Sequence, residues 1–216
     1  MQHLDEIIEQ IHQSFETRTK VRDQMLKQAR ILTRHCANAI RAIHREDRAL
    51  AQEHLQEAKK LTKSLSENSD EHPDFFYAGY TQDALKEYAE ANLTYALVIG
   101  DAIPYPGDLN LDHVPYLKGL AETAGELRRR CMDVLRHGDS TEADRLLESM
   151  DDIYDALVTM DYPDAITGGL RRLTDIVRGV TERTRGDLTM SLRQQRLEKR
   201  LQAFEEQISK SVNKDD

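Results

Sequence analysis

LDEIIEQIHQSFETRTKVRDQMLKQARILTRHCANAIRAIH, residues Leu4 to His44, contains neither Gly nor Pro. Its apolar residues Ile7, Ile8, Ile11, Phe15, Val21, Met25, Ala29, Leu32, Cys36, Ala39, Ile40 and Ile43 recur at three- and four-residue steps. That is the period of one face of an α-helix, so the stretch predicts one long amphipathic helix or two nearly collinear ones. The pattern continues over 47–65 through Ala51, Leu55, Ala58, Leu61 and Leu65, a second helix. A polar loop over Ser66 to Pro73 and an aromatic-rich connector over Phe75 to Gly79 follow.

Thr81 is the expected N-cap of a helix running to about Ala102, since its hydroxyl can accept from a first-turn N–H. Pro104 to Asn110 reads as a turn-rich break. The next helix spans about Val114 to His137 and stops at Gly138, a residue suited to the left-handed conformation past a helix end. Asp139 to Met160 forms another, with Ser140 and Thr141 as cap candidates and Tyr162-Pro163 as its stop. Residues from about Asp164 to Val212 are expected to make one or two helices jointed at Gly186-Asp187. The reading is all-α: a single-domain antiparallel bundle of six to eight helices over 1–216.

Composition excludes several classes. No window approaches the ~18 consecutive apolar residues of a membrane span, and no signal-peptide pattern opens the chain. The two cysteines, Cys36 and Cys131, are too few and too distant for a disulfide scaffold, and both fall on apolar stripes as core residues. The eight histidines fall in no metal-ligand spacing, and no phosphate-binding or serine-hydrolase motif occurs. A cytoplasmic protein is expected.

The net charge of −9 argues against a nucleic-acid partner, but it is unevenly spread. From Arg18 to Arg45 there are Arg18, Lys20, Arg22, Lys27, Arg30, Arg34, Arg41 and Arg45 against the single acid Asp23. From Ser69 to Tyr116 there are nine acids and only Lys86. Such blocks imply separately presented basic and acidic faces, or faces that pair with each other across the bundle. Arg30, Arg34, Arg41 and Arg45 recur at steps of four, seven and four and form one stripe, suited to phosphate contacts or to plain surface charge. Few aromatics and no Trp leave little for base stacking.

On a helical wheel of 82–102, Leu85, Tyr88, Ala89, Asn92, Ala96 and Ile99 form the expected buried stripe. Asp83, Glu87, Glu90, Thr94 and Asp101 gather opposite, with Glu87 and Glu90 three residues apart. In the 114–137 helix the stripe is Leu117, Leu120, Ala121, Ala124, Cys131 and Leu135, with Glu122, Glu126 and Asp133 on the far side. Glu122 and Glu126 are four apart with Arg129 beside them, while Arg128 falls on the apolar side, as a residue reaching across a subunit interface would. Like charges at such spacings repel, so two helices carrying them suggest a compensating cation. Four converging carboxylates suit Mg²⁺ or Mn²⁺ rather than zinc, and an ion so held activates water against a phosphodiester. Solvated polar faces are the alternative in a chain with 39 acids.

Two segments bear a family likeness. Leu85-Lys-Glu87-Tyr-Ala-Glu90-Ala91 resembles the E-Y-x-E-A helix of the translin/translin-associated factor X family. Tyr116-Leu-Lys-Gly119-Leu-Ala-Glu122-Thr-Ala-Gly125-Glu126-Leu127-Arg-Arg129 is similar to that family's Y-L-x-G-x-A-D-L-T-G-E-L-x-R segment. Arg22 through Arg45 resembles its basic N-terminal helix, and Tyr162 through Gly186 its C-terminal helices, so the likeness spans about residues 15–200. It implies an all-α subunit of a hollow, usually octameric shell that holds nucleic acid. In the factor-X branch it implies a metal-dependent endoribonuclease, with Glu87, Glu90, Glu122 and Glu126 as metal ligands and catalytic acids. Position 122 carries Glu where the family usually has Asp, one methylene longer. The resemblance thus points to a homo-oligomer that binds single-stranded RNA, or DNA or a short duplex, through Arg30, Arg34, Arg41, Arg45 and Arg129. A non-catalytic translin-type binding shell is the alternative, and a helical bundle without nucleic acid a third.

Overall fold

The structure, a computed structural model, describes residues 2–67 and 69–212; Asn68, inside the expected 66–73 loop, lies outside the described residues. Eight helices and no strand make up the described residues. They are α1 (Gln2–His44), α2 (Arg48–Ser66), α3 (Pro73–Phe76), α4 (Gly79–Ile99), α5 (His113–Arg136), α6 (Ser140–Val158), α7 (Asp164–Thr167) and α8 (Leu170–Val212). None of them is long and apolar enough to cross a membrane. The chain divides into two compact units, Met1–Thr123 with Tyr162–Leu170, and Ala124–Asp161 with Arg171–Asp216.

In the first unit α1 is unbroken for 43 residues, about 65 Å at 1.5 Å per residue. Only its second half is packed: Met25, Ala29, Leu32, Cys36 and Ala39 are buried against α2 and α4. Leu4, Ile7, Ile8, Ile11 and Phe15 continue the same apolar stripe but are exposed. A tight turn reverses the chain into α2, with Glu46 in the left-handed region and Asp47 capping the new helix by accepting from Leu50 N–H at 3.0 Å. Ala51, Leu55, Ala58 and Leu65 return the apolar face to α1.

α4 departs from the expected two-sided helix. Thr81, Ala84, Leu85, Tyr88, Ala89, Glu90, Ala91, Leu93, Thr94 and Ala96 are all buried, which is most of its circumference. Asp83 and Asp101 remain exposed, but Glu90 and Thr94, expected on a solvated face, are interior. A periodic wheel assumes one packed side; α4 is packed on several, so its polar residues are interior too. The helix begins at Gly79 with Ala78 as cap residue, and Thr81 is instead its third residue, donating its hydroxyl to Phe75 C=O at 2.9 Å. It ends at Ile99 rather than Ala102 because Gly100 takes the left-handed conformation.

In the second unit α5 continues through Leu127, Cys131 and Val134, buried on one face, and stops at Gly138. Asp139, not Ser140 or Thr141, caps α6 by accepting from Glu142 N–H at 3.0 Å. α8 runs through Gly186-Asp187 without a joint. A single Gly weakens a helix but does not stop it when φ stays in the α region. Its last turns carry Leu197, Leu201, Phe204 and Ile208 exposed.

Candidate functional site

Glu87 and Glu90 share one side of α4 because they are three residues apart, and Glu122 approaches from α5. What lets α5 come so near is Gly119. A Cβ there would lie 2.5 Å from the Ala89 Cβ, 2.7 Å from Lys86 O and 2.8 Å from Glu90 N. Backbone therefore rests on backbone at this crossing, and Glu122 stands one turn further along. Thr123 ties the next position down, donating its hydroxyl to Gly119 C=O at 2.9 Å. The result is a group of three carboxylates with oxygens of Glu87, Glu90 and Glu122 all within 4.8 Å of one another.

Glu90 is only 8% exposed, while Glu87 and Glu122 are half-buried. Lys86 lies among them. Its Nζ stands 2.9 Å from Oε1 and 2.7 Å from Oε2 of Glu122, and 3.3 Å from Glu87 Oε1. Burial alone would lower the pKa of this lysine, but the carboxylates of Glu122 and Glu87 outweigh it and hold the ammonium above its usual range. Behind the group, burial followed by the charges of Glu87 and Glu90 pushes the Cys36 thiol well above its usual range. Burial likewise pushes the Tyr88 phenol up to about 12. Neither is a nucleophile at neutral pH.

The donor set is all carboxylate oxygen, the hard-ligand chemistry of Mg²⁺ and Mn²⁺. Oxygens about 2.1 Å from an octahedral ion lie up to about 4.2 Å apart, so small side-chain rotations bring this group to that geometry. The residues present fit a divalent cation.

Glu126, one turn beyond Glu122 on α5, belongs to the second unit, where Arg129 Nη1 stands 3.9 Å from its carboxylate. Arg129 itself is exposed. Arg30, Arg34, Arg41 and Arg45 are all exposed. Arg30 and Arg34 join Lys27, Asp23, Leu26 and Ile31 along a surface groove of about 480 Å³, while Arg41 is hydrogen-bonded to Asn38. Arg18 of the basic block pairs with Asp74 of the acidic block and lies 5.2 Å over the Phe75 ring. Arg128 donates to Thr184 Oγ1 at 3.0 Å and pairs with Asp187 at 2.8 Å on α8. The i+56 and i+59 spacing of those partners leaves no local trace. Lys86 was not singled out by sequence; its signal is being the one base among nine acids.

The all-α fold that carries this acidic group is shared with solved structures. AfC3PO is similar at TM-score 0.78 and 30% identity, over 85% of this chain and 96% of that one. AfC3PO solved in complex with duplex RNA matches at 0.78 and 31%, over 85% and 95%. Apo-NeC3PO, at 0.78 but 21% identity over 85% and 96%, shares the fold. An uncharacterized protein of Methanocaldococcus jannaschii is 32% identical over 183 residues, 84% of this chain and 81% of that protein. No family model matches. The chain belongs to the translin/translin-associated factor X family.

Proposed function

We propose that the chain is the subunit, a single translin-like domain over 1–216, of a homo-oligomeric particle that binds RNA and cleaves it with a divalent ion. The observation that carries this reading is the convergence of Glu87, Glu90 and Glu122 at the Gly119 crossing. Likeness to AfC3PO, which was solved with duplex RNA, supports RNA as the polymer. Buried, unpaired Cys36 and Cys131 suit a reducing cytoplasm.

Glu87, Glu90, Glu122 and Glu126 would hold Mg²⁺ or Mn²⁺, which would supply charge to polarise a phosphoryl oxygen and to ease deprotonation of the attacking water. One of the glutamates accepts the water's proton on a carboxylate oxygen as its oxygen attacks phosphorus and the ester oxygen leaves. Arg30, Arg34, Arg41, Arg45 and Arg129 bear on phosphates, positioning the strand without reading its sequence. The subunit is closest to the factor-X branch, and an octamer is the expected assembly.

The test is cleavage of end-labelled single-stranded RNA in Mg²⁺ or Mn²⁺ by wild type, Glu87→Gln and Glu126→Gln. Wild type should cut, and each variant should lose at least about a hundredfold while still binding RNA. Equal cleavage by all three, or none by wild type, overturns the nuclease. One observation favours the translin-type alternative, a shell that binds without cutting: Lys86 already neutralises Glu122. That reading predicts salt-sensitive RNA binding that survives loss of all four glutamates.

A further inference from the structure

The carboxylate group carries a cation of its own. Lys86 Nζ spans both oxygens of Glu122, at 2.9 and 2.7 Å, and reaches Glu87 Oε1 at 3.3 Å. Its side chain is only 16% exposed, so these contacts are made largely out of water, where each is stronger than a surface pair. Two of the three carboxylates that would hold a divalent ion are thus already in use by an ammonium.

Shared ligands make the two cations rivals. Glu87 and Glu122, two of the three carboxylates that lie within 4.8 Å of one another, already bear on the Lys86 ammonium. An ion drawing an oxygen from each glutamate meets, at Glu122, oxygens that already accept from Lys86, and a like charge a few ångströms away. Removing Lys86 would take away the cation that Glu87 and Glu122 share and leave their mutual repulsion for an added ion to relieve. The lysine also has somewhere to go. It sits one residue before Glu87 on α4, and four methylenes let the ammonium swing out without moving the helix.

We propose, resting on the reading that Glu87, Glu90 and Glu122 hold a divalent cation, that Lys86 is that ion's intramolecular competitor. The ammonium keeps Glu87 and Glu122 together while the site is empty, and the ion must displace it from Glu122 to bind. Lys86 is a positioning residue that sets the divalent concentration at which the site loads.

The test is Mn²⁺ titration of the full chain at fixed pH, read by electron paramagnetic resonance and calorimetry, for wild type, Lys86→Met, Lys86→Gln and Lys86→Arg. Thermal melts of each are taken with and without saturating Mn²⁺. Loss of the charge should tighten Mn²⁺ binding by at least about tenfold in both neutral variants. It should also lower the melting temperature of the ion-free protein and enlarge the rise that Mn²⁺ produces. Lys86→Arg, which keeps the charge, should stay near wild type. Mn²⁺ binding by the neutral variants alone also supports competition. Binding by wild type with equal or weaker binding by both neutral variants overturns the competition and leaves the metal reading standing. No Mn²⁺ binding by any of the four proteins overturns the metal reading, and this inference with it.

Discussion

Gly119 is the residue on which the site's geometry turns. Any Cβ there meets Ala89 at 2.5 Å and the Lys86 carbonyl at 2.7 Å, so Gly119→Ala forces α5 off α4. The expected cost is about 1–3 kcal/mol, read as a lower urea midpoint at unchanged slope. Adding Ala89→Gly should recover only part of it, because the Lys86 carbonyl is backbone and cannot be trimmed. A second residue-scale consequence concerns pH. His35 Nδ1 lies 3.2 Å from His54 Nδ1, and burial first, then His54 and Arg34, holds the His35 pKa below its usual 6.5 against the opposing pull of Glu57 and Glu53. On acidification the unfolded chain takes up this proton before the folded one does, so the folded state loses stability as pH falls below about 6.5. The urea midpoint should therefore drop between pH 7.5 and 5.5, and His35→Gln should make that drop smaller. An equal drop in both proteins would assign it to other groups.

At the scale of the helices, local chemistry explains where sequence reading succeeded and where it did not. Helix existence was legible throughout, because long Gly- and Pro-free stretches with a 3.6-residue period leave little else to form. Ends were less so. Ser140 and Thr141 are good capping residues, but Asp139 beside them caps equally well and stands one place earlier, and nothing local ranks the three. Gly186 looked like a joint because Gly is a poor helix former, yet α8 passes through it with no atom within 4 Å of where its Cβ would be. Gly186→Ala should accordingly stabilise the chain by up to about 1 kcal/mol, seen as a higher melting temperature. Asp47→Ala should act the other way by about 1 kcal/mol, since Leu50 N–H loses its acceptor. Within the site, the spacing of Glu87 and Glu90 was readable on one helix. The burial of Glu90 was not, because it depends on how many neighbours surround α4, a property of the packed unit and not of the helix. Lys86 escaped for the same reason: its partner Glu122 is 36 residues away.

For the whole molecule, the informative quantity is where charge is exposed. Despite the net −9, Arg30 and Arg34 stand in the open along one groove of α1. If they bear on phosphates, Arg30→Ala and Arg34→Ala should each weaken RNA binding for every sequence alike and flatten the salt dependence of log Kd by about one unit. Filter binding across a salt series measures this directly, and an unchanged slope removes these residues from the interface.

Cys36 and Cys131, wholly buried and unpaired, happen to fall one in each compact unit. That makes the chain its own pair of clocks. A thiol reagent can reach either sulfur only when the helices around it open, so the labelling rate at each position times the opening of one unit independently of the other. Burial holds both thiols protonated, Cys131 with a pKa pushed up to about 11, which slows the chemistry equally in any comparison of ligands. An ion gripped by Glu87, Glu90 and Glu122 should slow the Cys36 clock, and whether the Cys131 clock keeps its pace would tell how far that grip is felt.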